Sequence, residues 1–267
     1  MTYSEFMEAR MSVPKIIHYC WLGGPFPEIV TKCFSSWREK LSDYKIICWN
    51  ADNFDVNICQ YTREAFEARK YAFVSDYIRL YALYNYGGIY LDTDVEVLKS
   101  FDDLLEEKAF AGFENNHTIA SCLFASEKSN PLIMELLDHY SDIHFLLPDG
   151  SFDLTPNTVP ITKILRKHGL LLDGSEQILR NIRLLPAEYF CPYSRASEEL
   201  NVTSKSYAIH YFNGAWIPDE KKMIISKRKE VIKKYGKCCG YIYYGLALIS
   251  KQGIRQFIKE FSFFLKG

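Results

Sequence analysis

Two hydrophobic periods alternate along the first half of the chain. Lys15–Trp21 (KIIHYCW) is a continuous apolar run and predicts a buried strand, after which Gly23, Gly24, Pro25 and Pro27 predict a loop. From Glu28 to Leu41, Val30, Phe34, Trp37 and Leu41 fall on one helical face. Tyr44–Trp49 predicts a second strand, with Asn50, Asp52 and Asn53 as a turn. Thr62–Tyr86 carries helical spacing, in one or two pieces, and stops at Gly87-Gly88. Ile89–Leu91 is a short strand running into Asp92-Thr93-Asp94. Further on, Ala109–Phe113, Ile119–Ala125 and Ser206–Phe212 read as strands, and Pro131–Tyr140 and Pro160–His168 as helices. Strand–helix–strand alternation predicts an α/β fold with a mostly parallel sheet flanked by helices on both faces. Ligands of such sheets sit at the carboxyl ends of the strands. Trp21-Leu22-Gly23-Gly24 and Asp92-Thr93-Asp94 both fall there.

Composition narrows the classes. The chain has 267 residues, enough for one large domain or two small ones, and 48% of them are hydrophobic, enough for a sizeable core. A net charge of −1 gives no global electrostatic case for nucleic acid. The first fourteen residues carry Glu5, Glu8 and Arg10 and no apolar core of a signal peptide, and no stretch approaches the roughly 20 apolar residues of a membrane span. The expected compartment is the cytoplasm. Cys20, Cys33, Cys48, Cys59, Cys122, Cys191, Cys238 and Cys239 form no C-x-x-C pair and have no histidine at zinc spacing, so reduced cysteines packed as small apolar residues are expected. Without secretion, the sequons at Asn116 and Asn201 carry no glycosylation reading.

The chemistry concentrates between residues 76 and 94. Residues two apart on an extended backbone share a side, so Asp92 and Asp94 can face one hard cation such as Mg²⁺ or Mn²⁺. The competing reading is a solvated turn. Asp76 and Arg79 are three apart on an otherwise apolar helix. As an exposed ion pair they would contribute only about 0.3–0.5 kcal/mol, but buried charges call for a partner or a function.

Three segments occur in order: IIHYCWLGG at 16–24, AFVSDYIRLYALYNYGGIYLDTD at 72–94 and AIHYFNGAW at 208–216. Together they resemble the DXD-containing glycosyltransferase family 32, over roughly residues 13–217. The resemblance implies a GT-A fold, distant kinship with the glucosylating bacterial toxins, a UDP- or GDP-linked nucleotide-sugar donor, Mn²⁺ or Mg²⁺, and transfer with retention of configuration. It also implies a glycan or lipid-linked acceptor and a place in capsular or surface polysaccharide synthesis. By the same resemblance Asp94 ligates the metal, and Asp92 contacts ribose, sugar or a metal-bound water. Asp76 binds donor hydroxyls, and Arg79 reaches the donor sugar or phosphate. Trp21 stacks on the base, with Gly23 and Gly24 allowing close backbone approach. Tyr90 matches a donor-site aromatic, with core packing an equal alternative. His210 completes the metal site or is a satisfied core histidine. Trp216 closes over the donor. Where the family often has Gly-Ser-Trp this chain has Gly214-Ala215-Trp216, and Asn213 is the candidate replacement for the missing hydroxyl. No acidic residue stands at a family position for a covalent intermediate, which favours front-face transfer. Glu114, Asn115, Asn116 and Asn157 are plausible polar residues of the acceptor or donor site, or plain loop polarity.

Three segments are expected: an extension over 1–12, the transferase domain over 13–220 and a basic amphipathic tail over 221–267. Lys221 to Lys237 is strongly basic. Ile254, Phe257, Ile258, Phe261, Phe264 and Leu265 share a helical face, suiting an anionic membrane surface or packing on the domain. Two rivals to the transferase reading remain: a non-catalytic glycan- or membrane-binding protein, and a sugar-nucleotide nucleotidyltransferase, for which no Gly-rich triphosphate loop follows the first strand.

Overall fold

The structure is a computed structural model and describes residues 12–194, 199–214, 217, 219–236, 238–247 and 250. They fall into two compact units that divide after Asn213.

The first unit is built on a seven-stranded sheet. Its strands are β1 (Ile16–Cys20), β2 (Lys45–Trp49), β3 (Gly88–Leu91), β5 (Ala109–Asn115), β6 (Thr118–Ser126), β7 (Gln177–Leu179) and β8 (Ile182–Leu185). The order is β2-β1-β3-β6-β5-β8-β7. Strands β2, β1, β3, β5 and β8 run one way, and only β6 and β7 run against them. The sheet is therefore mostly parallel by direction, as the alternation predicts, and the architecture is the α/β arrangement expected from the sequence. The reversed β6 pairs with β5 as a bulged hairpin beside the parallel half.

Helices α1 (Glu28–Lys40), α2 (Gln60–Glu67) and α3 (Tyr71–Tyr86) come before β3, and α4 (Pro131–Asp138) and α5 (Thr158–Lys167) follow β6. The helical stretch predicted from Thr62 starts two residues earlier and is two helices. The break falls at Arg69, whose φ of 56° puts it in the left-handed region. α3 is apolar nearly all round and buries Phe73, Val74, Ile78, Leu80, Ala82 and Leu83 together with Asp76 and Arg79, which identifies it as a central helix.

β3 lies mid-sheet, and all four of its residues are buried. Its alternation splits the core: Tyr90 faces the α3 side, Ile89 and Leu91 the α1 side with Trp37. The α3–β3 corner is sharp, with Gly87 at φ 67° and Gly88 at φ 107°. β4 (Val95–Val97) leaves the main sheet and pairs antiparallel with β11 (Ala208–His210), His210 opposite Val95. α1 anchors β4: the Trp37 indole N–H donates to the Val95 carbonyl at 2.7 Å, and Ser36 Oγ accepts the Val97 N–H at 2.9 Å. β9 (Tyr193–Ser194) and β10 (Glu199–Leu200) form a separate short ladder.

The second unit contains α6 (Asp219–Tyr235), which carries most of the basic run, and helical residues 238–247. Within it, Arg228 lies over the rings of Tyr241 and Tyr244, at 5.8 and 5.0 Å from their centroids, so part of the tail's aromatic patch is engaged inside the unit. The amphipathic segment from Ile254 to Leu265 lies outside the described residues. Among those described, no helix is long and apolar enough to cross a membrane.

Candidate active site

The site forms where β3 ends. Asp92 leaves the strand while its N–H still donates to the Cys122 carbonyl on β6, at 2.8 Å. The Val95 N–H then donates back to the Asp92 carbonyl, so residues 92–95 are a turn. Strand alternation therefore does not apply to Asp92 and Asp94, because their backbone is not extended. The turn brings the carboxylates together instead, and β11 supplies a third group. A carboxylate oxygen of each aspartate and a ring nitrogen of His210 all lie within 4.8 Å of one another.

Asp94 is the most tightly held of the three. Its Oδ2 accepts the Asn213 N–H at 2.7 Å, its Oδ1 lies 3.4 Å from His210 Nε2, and its carbonyl accepts the Tyr211 N–H at 3.1 Å. Burial works to raise the Asp94 carboxyl, but His210 and the Asn213 N–H outweigh it and hold it below the usual carboxylate range. Asn213 thus contributes its backbone N–H to the carboxylate. The imidazole of His210 is held well above its usual range: burial would lower it, and Cys122 and Asp94 outweigh burial.

Arg79 organises the other side. Its Nη2 lies 3.0 Å from Asp76 Oδ1 and 3.2 Å from Asp92 Oδ1, and its Nη1 donates to the Ser121 carbonyl. The guanidinium sits 4.7 Å over the Tyr90 ring. Burial pushes the carboxyls of Asp76 and Asp92 up, with Arg79 opposing it at both. Asp76 and Arg79 are thus a buried charged pair whose cation also braces Asp92. Arg79 Nε is buried with no hydrogen-bond partner among the described residues.

Trp21 stands at the same carboxyl-terminal edge, since β1 and β3 are paired in parallel with His18 opposite Tyr90. Its indole N–H donates to the Gly24 carbonyl at 2.9 Å, and its ring packs 4.8 Å from Phe26. Gly23 and Gly24 both have positive φ, and a Cβ at either would meet nothing within 4 Å. Tyr90 is buried in the sheet beneath Arg79, the core-packing alternative of the two. Trp216 lies outside the described residues. The side chain of Asn115 accepts the His117 N–H, which makes it a turn residue. Asn157 precedes α5 and is buried, its amide nitrogen without a hydrogen-bond partner among the described residues. Side-chain identity gave no signal for Ser121 and Cys122, which act through their backbone carbonyls.

A hard cation fits the donor set. The two carboxylates suit Mn²⁺ or Mg²⁺, the imidazole favours Mn²⁺ of the pair, and the second imidazole nitrogen, Nδ1, is buried with no hydrogen-bond partner among the described residues.

A turn of paired aspartates at the edge of an α/β sheet, braced by a buried arginine and faced by a histidine, is an arrangement that can hold a divalent cation beside a ligand. Residues 27–111 match the family model described as the glycosyltransferase sugar-binding region containing the DXD motif. The match takes in Asp76, Arg79, Asp92 and Asp94. Inositol phosphoceramide mannosyltransferase 3 of Schizosaccharomyces pombe is 26% identical over 134 residues, 47% of this chain and 36% of that protein. Inositol phosphoceramide mannosyltransferase 2 of the same organism is 22% identical over 224 residues, 80% of this chain and 61% of that protein. The chain thus spans about a third to three-fifths of the length of these two relatives. Among solved structures, the PaToxG glycosyltransferase is similar with a TM-score of 0.38 and 16% identity, over 51% of this chain and 66% of that one.

Proposed function

We propose that this protein is a metal-dependent, retaining glycosyltransferase that moves a sugar from a UDP- or GDP-linked donor to a glycan or lipid-linked acceptor. The observation that carries the reading is the convergence of Asp92, Asp94 and His210 within 4.8 Å at the carboxyl-terminal edge of the sheet. Asp94, Asp92 and His210 would hold the cation, with His210 giving up its proton to do so. The chemistry such a cation supplies when bound is neutralisation of the charge that builds on the diphosphate leaving group. Arg79 fixes the Asp92 carboxylate, and the Asn213 N–H fixes that of Asp94. Trp21 is the platform for the base, and Asp76 the group for donor hydroxyls. Retention follows a front-face course, in which the leaving phosphate helps to take the acceptor proton. The names of the two mannosyltransferases support a lipid-borne acceptor, and surface polysaccharide assembly by a cytoplasmic enzyme at the inner membrane face is the matching role.

Thermal stabilisation by UDP and by GDP, each with and without Mn²⁺, tests the reading. A shift with one nucleotide that needs the cation, and that Asp94→Asn loses, is the expected result. No shift with either nucleotide, and no donor hydrolysis, would leave a non-catalytic binding protein.

A further inference from the structure

His210 belongs to two groups at once. Beside the oxygen-rich set with Asp92 and Asp94 stands a sulfur-rich one: the Sγ atoms of Cys122 and Cys191 and a ring nitrogen of His210 lie within 4.8 Å of one another. Both cysteines are free thiols and buried, Cys122 on β6 and Cys191 just past the short 3₁₀ turn Ala187–Tyr189 that follows β8. Their Sγ atoms are 3.6 Å apart. A disulfide needs about 2.05 Å. Two thiolates on one tetrahedral zinc ion, each about 2.3 Å from the metal, stand about 3.8 Å apart. The thiols are thus already near the spacing that one soft cation imposes. The imidazole is the third ligand, and the position left open can take water. His210 and Asp94 are 13% and 14% exposed, so an ion can reach the group from their side.

We propose that Cys122, Cys191 and His210 form a second metal site, specific for a thiophilic divalent cation such as Zn²⁺ and alternative to the site at Asp92 and Asp94. Binding converts both thiols to thiolates and releases their protons to solvent. Ligand chemistry separates the two sites: sulfur selects zinc-like ions, and carboxylate oxygen selects Mg²⁺ and Mn²⁺. Because His210 serves both, zinc on the sulfur side withdraws the imidazole from Asp94 and the activity proposed above is lost. The zinc site itself does not depend on that activity.

The test uses the full chain with Cys238→Ser and Cys239→Ser, which removes two exposed thiols, and Co²⁺ as the spectroscopic stand-in for zinc. The expected result is a thiolate-to-cobalt charge-transfer band that saturates at one equivalent, resists excess Mg²⁺ and is displaced by Zn²⁺. Cys122→Ser and Cys191→Ser should each remove the band. A band unchanged when both are replaced together, the absence of any band in the parent, or recovery of the two cysteines as a disulfide from freshly reduced protein would overturn the proposal. X-ray absorption of zinc bound to the parent decides the same question without relying on a variant to fold. Two sulfur neighbours at about 2.3 Å support the site, and a shell of oxygen and nitrogen alone refutes it.

Discussion

Arg79 Nη2 lies 3.2 Å from Asp92 Oδ1, tying the middle of α3 to the residue that ends β3. The same nitrogen is 3.0 Å from Asp76 Oδ1, so a single buried cation separates two carboxylates. Arg79→Ala would leave both facing each other with no counter-charge. Breaking a buried pair in this way costs about 3–5 kcal/mol. Arg79→Lys keeps the charge but loses the planar fork that also reaches the Ser121 carbonyl, and about 1–2 kcal/mol is expected. Urea denaturation of both variants decides the matter. An alanine variant within about 1 kcal/mol of the parent would show that the brace carries no stability.

Asn213 holds Asp94 through its main chain, at 2.7 Å. Replacing its side chain therefore leaves the bond in place, whereas proline removes the donor. Asn213→Pro should weaken Mn²⁺-dependent nucleotide stabilisation more than Asn213→Ala does. Equal losses would return the role to the side-chain amide, the group the sequence singled out.

The elements that run from β1 to β3 were legible because their apolar runs stop at turn residues, glycines after β1 and α3 and Asn50, Asp52 and Asn53 after β2. The place of the break between α2 and α3 was not, because Arg69 is no helix breaker by type and adopts φ 56° all the same. β4, β7 and β8, of three, three and four residues, are too short to show a period. Asp92 and Asp94 could be read from the chain, whereas His210 beside them was only one of two alternatives that the resemblance offered, since the meeting depends on β4 pairing with β11 more than 100 residues later. Cys122 and Cys191 are 69 residues apart, so no metal-ligand spacing announced them.

Gly88 illustrates a constraint that comes from close approach. A Cβ there would stand 2.5 Å from the Ile16 carbonyl oxygen on β1, a backbone atom that cannot step aside, and φ is 107°. Gly88→Ala should cost about 2–4 kcal/mol and pull β3 away from β1. Gly169, at φ 95° with open space around it, is the control, and alanine there should cost only about 1 kcal/mol of strain. Chemical denaturation of both variants separates crowding from backbone strain. Equal losses would mean that φ alone sets the cost.

His18 gives the fold a pH dependence of definite sign. The ring is fully buried; its Nδ1 accepts the Trp49 indole N–H at 3.1 Å, and its Nε2–H therefore donates to the Gly87 carbonyl at 2.8 Å. A second proton would set Nδ1–H against the indole N–H. Burial accordingly pushes the imidazole down to about 4. In the unfolded chain the same ring takes up its proton near pH 6.5, so below that pH the unfolded state binds more protons. Stability from His18 is complete above about pH 6.5 and is lost as pH falls toward 4, roughly 3 kcal/mol in all. His210, held above its usual range, changes the proton balance only at higher pH. Glu64 does so from the usual carboxylate range downward: burial works to raise it, but the Leu146 N–H, Gln60 and His144 hold it down to about 2. His139, also pushed down by burial, acts with the same sign, and Asp76 and Asp92, pushed up by burial, with the opposite one, whatever stands at position 18. Unfolding free energies of the parent and of His18→Gln, measured by urea between pH 7 and 4.5, isolate the His18 share. The variant should be less stable at pH 7 yet lose less on acidification, and parallel curves would rule the buried imidazole out as the source.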